Sequence, residues 1–208
     1  MAAETLVLAS ASPRRRELLE QIGVRHSVHA VDVDETREPG EAPRDYVLRL
    51  ARAKAQAAWD RLARDAQRAV LAADTAVVLD DEILGKPRDC ADALRMLEQL
   101  SGRTHRVLTA IALRDRAGLA ADLNESRVTF RRVTRAEAER YWETGEAADK
   151  AGAYAVQGRG AVFIERIEGS YSGVMGLPLY ETALLLNAAG ILLWDTALWD
   201  TTLRDAAR

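Results

Sequence analysis

LVLASASPRRRELLEQIG, residues 6–23, decides the fold. Its first four residues, Leu6 to Ala9, are an apolar run of the kind that forms a buried strand. Small residues follow, Ser10-Ala11-Ser12, and then Pro13 opens a helical pattern. Ser12 suits an N-cap, and Pro13 suits the first helical position, where its missing N–H is not needed. Leu18, Leu19 and Ile22 give the helix an apolar face, and Gly23 is placed to end it. Arg14, Arg15 and Arg16 crowd the first turn, although the positive end of a helix disfavours cations. Free N–H groups and guanidinium groups at one spot make an anion site, for which phosphate is the natural guest. The plainer alternative is a basic turn facing solvent.

The 208 residues fit one domain or two small lobes with a substantial core. The hydrophobic fraction of 48% and charged fraction of 29% are those of an ordinary globular chain. With a net charge of -3 no global field recruits nucleic acid, so an anion site must be local. The lone Cys90 excludes an internal disulfide and is read as a packing residue at a helix start. No apolar run approaches the ~20 residues of a membrane span, and no basic-then-apolar leader is visible. The expectation is a cytoplasmic protein that binds neither membrane nor nucleic acid.

Outward from the first strand and helix, His26 to Val33 alternates as a second strand. An acidic loop with Asp32, Asp34, Glu35 and Glu38 follows. Such a cluster is usually a solvated loop, with a divalent-cation site as the alternative. Pro43 opens a long helix to about Ala66, with Tyr46, Val47, Leu50, Ala53 and Ala57 as its buried stripe. Lys54 lies beside that stripe, either snorkelling outward or reaching into a cleft. Val70 to Ala73 reads as a strand ending at Asp74-Thr75; an Asp there is costly unless partnered or functional. Ala76–Leu79 and Glu82–Leu84 read as a hairpin about Asp80-Asp81. Lys86, held between Gly85 and Pro87, suits a fixed phosphate contact.

Helical periodicity spans Ala91 to Leu100. Two long strands are expected at His105–Leu113 and Leu119–Val133, and a capping box at Thr134–Glu137 starts a helix. A glycine-punctuated segment from Asp149 to Leu179 contains a strand, Val162–Ile167, and the polar Gln157 between Val156 and Gly158. A helix covers Leu179–Ala188. The tail, with Leu193, Trp194, Leu198 and Trp199 at helical spacing, is expected to pack on the body or on a partner. This order of elements gives the α/β class with a mixed sheet. His26, His29 and His105 have no metal spacing, and neither GxGxxG nor GxxxxGK[ST] occurs.

Taken together, SASPRRRELL, ADTAVVLDDEILGKP, SGRTHRVLTAIAL, DKAGAYAVQGRGAVFIERIEGSYSGVMGLPL and the helix from Pro43 resemble the Maf family of nucleoside triphosphate pyrophosphatases. The resemblance covers about Leu6 to Ala188. It implies a two-lobed Maf-like (ITPase-like) α/β fold with an elongated mixed sheet and a central cleft. It assigns residues 1–190 to one catalytic domain and leaves 191–208 as a helical tail. It also implies a homodimer and hydrolysis of a triphosphate to monophosphate and diphosphate with Mg²⁺ or Mn²⁺. By the same resemblance Asp74 is the general base, Lys54 and Lys86 act with it, and Glu35 holds metal or water, with Asp74 also a metal ligand. Ser10, Ser12, Arg14, Arg15, Thr75 and Gln157 are the substrate-binding set.

Arg14, Thr75 and Gln157 resemble the branch acting on dTTP and UTP, rather than the branch associated with 7-methyl-GTP. Ala155 departs from the Gly often found there, and only a backbone adjustment is expected from it. Chemically, a triphosphate carries about four negative charges and needs several converging cations. Gln157 offers the donor and acceptor that the N3–H and O4 edge of uracil or thymine requires. The competing reading is a nucleotide-sensing regulator of septum formation with little turnover.

Overall fold

The computed structural model describes residues 6–62 and 68–194. One seven-stranded mixed sheet runs β2-β1-β3-β5-β6-β7, with β4 attached to β3. Its strands are β1 (Leu6–Leu8), β2 (His26–Val28), β3 (Ala69–Leu79), β4 (Glu82–Leu84), β5 (Thr104–Arg114), β6 (Leu119–Phe130) and β7 (Ile164–Glu168). The helices are α1 (Pro13–Gln21), α2 (Pro43–Arg61), α3 (Cys90–Leu100), α4 (Arg135–Trp142), α5 (Tyr171–Met175) and α6 (Leu179–Ala188). The opening βα unit forms as expected: β1 is fully buried, Leu18 and Leu19 face the core, and Gly23 follows α1 at φ 66°.

Side chains of β3 alternate between two faces, as the period of a strand requires. Val70, Ala72, Ala76 and Val78 pack with Val47, Ala51, Ala55 and Ala58 of α2. Ala69, Leu71 and Ala73 face the other way, against Leu18 and Leu19 of α1 and Leu186 of α6. Farther along that second face, Val77 and Leu79 join a separate core with α3, α4 and the aromatic rings of Phe130, Tyr154 and Phe163. Thr75 lies where one of these cores gives way to the other.

The edges of β3 explain the cleft. One edge pairs with β5 from Val70 to Val78. The other pairs with β1 only at Ala69–Leu71 and with β4 only at Val77–Leu79. Residues 72–76 are left between the end of β1 and the start of β4, and the cleft opens over this gap.

Several sequence expectations are corrected. Asp74 stands in the middle of one eleven-residue strand, not at the end of a short one. The second strand is only His26–Val28, and the last is Ile164–Glu168, preceded by a 3₁₀ turn at Arg159–Phe163. Strand β6 stops at Phe130 rather than at Val133. Cys90 is exposed rather than packed, because Asp89 caps α3 and the phase that buries Ala93, Leu94 and Leu97 turns the first residue outward. Helix α2 ends at Arg61, and residues 63–66 of its expected last turn lie outside the described residues. Residues 191–194 are not helical; Leu193 packs on the α1–α6 core while Trp194 is exposed. Leu198 and Trp199 lie outside the described residues.

Candidate active site

A cleft of about 640 Å³ gathers residues from almost the whole chain. Arg14 and Arg15 come from α1, Lys54 from α2, Asp74 and Thr75 from β3, Lys86 from the loop after β4, and Gln157 from the turn before Gly158. Ser10, Ser12 and Glu35 also line it. The residues nominated as catalytic and substrate-binding therefore all meet at one place. Arg16 does not: it turns to solvent and pairs with Glu20 at 3.6 Å.

Asp74 is 8% exposed, on the face of β3 that packs against α2. Lys54, eleven residues into α2, reaches it with Nζ 2.7 Å from Oδ1. The same ammonium lies 2.6 Å from Oε1 of Glu35. One cation thus holds two carboxylates of different solvation, since the Glu35 side chain is 58% exposed and that of Asp74 only 11%. Burial pushes the Asp74 carboxyl above the usual carboxylate range, and Lys54, then Arg15, pull it back. The buried carboxyl is therefore a stronger proton acceptor than a solvated one, with Lys54 and Arg15 favouring its charged form.

Arg15 is fixed by three acceptors. Its Nε donates to the carbonyl of Gly176 at 2.8 Å, Nη1 to Ser10 Oγ at 3.2 Å and Nη2 to Thr75 Oγ1 at 3.1 Å. Of five guanidinium N–H donors, two remain for a guest. Burial lowers the Arg15 pKa from its ordinary value; so basic a group stays charged. Thr75 itself meets Thr109 Oγ1 at 3.0 Å, and Thr109 donates to the carbonyl of Gly173 at 2.7 Å. Since the Thr109 proton is committed to Gly173, the Thr75 hydroxyl donates to Thr109 and accepts from Arg15. Thr75 thus orients Arg15 before it contacts any ligand. Ser10 Oγ accepts from Arg15 and from the Ser12 N–H, which leaves its own proton free. Ser12 caps α1 by backbone position without a side-chain bond to it.

Lys86 is exposed at the cleft, and its loop is tied down by the Gly152 N–H donating to the Gly85 carbonyl at 3.0 Å. Gly152 has φ 67°, and a Cβ there would lie 2.9 Å from Val77, so only glycine keeps this approach. The turn bearing Gln157 is strapped from below. Glu146 accepts from the Arg159 and Gly160 N–H groups and from the Tyr141 hydroxyl, and that hydroxyl also receives the Ala155 N–H. Ala155 is buried without a positive φ, so its side chain sits there without left-handed strain.

The sequence missed the rim of the cleft. Asp149 pairs with Arg14 at 3.9 Å and also with Lys150, and both Asp149 and Lys150 line the opening. Their only signal was an adjacent acid and base before the AGAY turn. Below them His105, 2% exposed, meets the Tyr154 hydroxyl at 2.8 Å within a cluster of edge-on rings. Burial lowers its pKa to about 4, so the imidazole is neutral at physiological pH.

The carboxylates fit a divalent cation of the hard, oxygen-seeking kind. Asp74 and Glu35 converge on a common cation through one oxygen each, leaving the second oxygen of each for another. Among the described residues no group of three or more His, Cys, Asp or Glu forms a metal cage. That donor set suits Mg²⁺, which keeps waters and takes one or two carboxylates together with substrate phosphates.

Five cationic side chains and several carboxylates on one cleft define an α/β protein built to hold an anionic chain against a buried acid. The comparisons with known proteins are specific. The family model described as Maf-like protein matches residues 5–189, and the chain belongs to that family. A relative from Alkalilimnicola ehrlichii, called dTTP/UTP pyrophosphatase, is 56% identical over 185 residues, covering 88% of this chain and 91% of its own. Relatives of the same name from Cupriavidus pinatubonensis and Saccharophagus degradans are 56% and 52% identical, covering 88% and 91% of this chain and 96% and 91% of theirs. The solved structure of the Staphylococcus aureus Ham1 protein overlaps 62% of this chain and 72% of its own, at TM-score 0.39 and 17% identity, too slight a likeness to argue from.

Proposed function

We propose that this chain is a nucleotide diphosphatase that hydrolyses dTTP and UTP to the monophosphate and diphosphate, removing unwanted pyrimidine triphosphates from the nucleotide pool. The observation that carries the reading is identity of 50–57% to relatives called dTTP/UTP pyrophosphatase, over most of both chains. The cleft supplies the means. Arg14, Arg15, Lys54 and Lys86 meet the charge of the phosphate chain, and the two unused donors of Arg15 point to a bidentate phosphate contact. Asp74 orients a water and takes its proton, while Lys54 keeps the acid ionised. Glu35 steadies the same region from its loop, and Asp74 and Glu35 are the residues that would hold Mg²⁺ or Mn²⁺. Such a cation, when bound, offsets charge on the departing diphosphate. Gln157 pairs with the N3–H and O4 edge of the pyrimidine; a purine would leave that amide mispaired, at ~1–3 kcal/mol per lost bond.

The family resemblance adds a homodimer to this proposal, read out by sedimentation, and a cytoplasmic setting without membrane or nucleic-acid partners. No helix among the described residues is long and apolar enough to cross a membrane. The deciding assay presents all common triphosphates with Mg²⁺ or Mn²⁺ and identifies the inorganic product. Diphosphate from dTTP and UTP is expected, and orthophosphate would refute the cleavage point. Asp74→Asn should lose nearly all turnover while keeping its fold, as read by circular dichroism. Thermal stabilisation by dTTP without turnover in the unaltered protein would instead favour a sensing role in septum formation.

A further inference from the structure

The loop that carries Glu35 has no regular structure between β2 and α2, yet it delivers a carboxylate to within 2.6 Å of Lys54 Nζ. Helix α2 supplies what holds it. Arg49 Nε donates to Glu41 Oε1 at 2.6 Å and Nη2 to Oε2 at 2.8 Å, a two-pronged pair. The same Nη2 donates to the Thr36 carbonyl at 3.1 Å, one residue past Glu35. The Tyr46 hydroxyl donates to the carbonyl of Glu35 itself at 3.0 Å, and the Arg49 guanidinium lies 5.6 Å from the Tyr46 ring centre. Glu41 is well satisfied: its side chain is 7% exposed, its Oε2 receives the Glu38 N–H, and its carbonyl receives two donors of Arg37. Tyr46, Arg49 and Lys54 come from one stretch of α2, so the helix that presents the cation also fixes the loop that answers it.

We infer that Arg49 and Tyr46 are positioning residues, a clamp through Glu41 and the Glu35–Thr36 backbone that sets the Glu35 carboxylate against Lys54. The clamp rests on the reading of Glu35 as part of the hydrolytic site. The Arg49 bonds hold the Glu41 carboxyl down at about 2, so the clamp stays ionised at any pH where Asp74 can act.

The test compares Arg49→Met, Arg49→Lys and Tyr46→Phe, alone and combined with Glu35→Gln, in dTTP hydrolysis with Mg²⁺ titrated. Arg49→Met should lower kcat about 10- to 100-fold and raise the Mg²⁺ concentration for half-activity, as loss of outer supports of a metal site does. Arg49→Lys, which cannot fork, should fall between. Tyr46→Phe removes one hydroxyl and should cost about 2- to 10-fold without threatening the fold. In the Glu35→Gln background all three losses should shrink to under about 2-fold, since the carboxylate they position is gone. Losses of equal size in both backgrounds would overturn the clamp, because the residues would then serve folding alone. Full turnover by Glu35→Gln itself would remove Glu35 from the site, a failure of the underlying reading that is distinguishable from failure of the clamp.

Discussion

Replacing Lys54 by Met tests the electrical design of the site. Asp74 is 8% exposed, and burial is the largest influence on its carboxyl. Lys54 is the main opposing influence, through its charge and its 2.7 Å hydrogen bond; Arg15 contributes less, and Glu35 works against both. Methionine keeps the length of the stem and removes the ammonium. An adjacent opposite charge is worth about 1–3 pKa units to a carboxyl, so the acid limb of kcat/KM should move up by that amount. The assay is the pH profile of dTTP hydrolysis for both proteins side by side, which cancels the titration of the nucleotide.

Stability should report the same shift. The folded carboxyl already titrates above its unfolded value of about 3.9, so the unfolded chain gives up its proton first as pH rises. The contribution is therefore full below about 3.9 and declines as pH climbs through the folded pKa. In Lys54→Met the decline runs farther, by about 1.4 kcal/mol per unit, so the variant should be most destabilised at neutral pH and nearly equal to wild type in acid. Adding Asp74→Asn should abolish that pH-dependent difference. An acid limb at the same pH in both proteins would refute the argument that Lys54 keeps Asp74 ionised.

Two further outcomes follow from buried polar contacts. Thr75→Val removes the acceptor for Arg15 Nη2 and the donor to Thr109, which should cost about 1–3 kcal/mol of substrate binding, read as a rise in KM of about 5- to 150-fold. A KM unchanged in a folded Thr75→Val protein would show that Arg15 needs no such support. His105, with its pKa held near 4, is neutral when folded and gains a proton near 6.5 when unfolded, so stability is full above about 6.5 and falls as pH drops towards 4. The loss amounts to about 3 kcal/mol, and His105→Phe should flatten that part of the denaturation profile.

The first βα unit, the hairpin at Asp80, the capping box at Thr134 and α6 were legible because each rests on local rules of turn, cap and period. Asp74 misled the strand reading for a physical reason. A buried acid argues for a strand end, and its partner lies on a helix twenty residues earlier in the chain. Arg49 and Thr75 show the same limit: their acceptors are fixed by tertiary packing, and no spacing rule points from Arg49 to Glu41 and Thr36 or from Thr75 to Thr109. The arginine triplet was legible as a cluster but not in its division. Only the helical phase decides that Arg15 turns inward to Gly176 while Arg16 turns out to Glu20.

Adjacent residues of β3 do opposite work because a strand alternates. Asp74 projects toward α2 with Ala72 and Ala76, and meets Lys54. Thr75 projects to the other face, between Ala73 and Val77, and meets Arg15 of α1. In a strand paired along both edges, these faces would be sealed from each other. Here β1 stops opposite Leu71 and β4 starts opposite Val77, so the sheet is open where the two side chains emerge. The base and the anion-binding arginine can therefore address one guest from opposite sides of the sheet. Register becomes a functional quantity: a one-residue slip of β3 against β5 would turn Asp74 toward α1 and Thr75 toward Lys54. The near-continuous burial of β3 on both faces, packed against α2 on one side and α1, α3 and α6 on the other, holds that register.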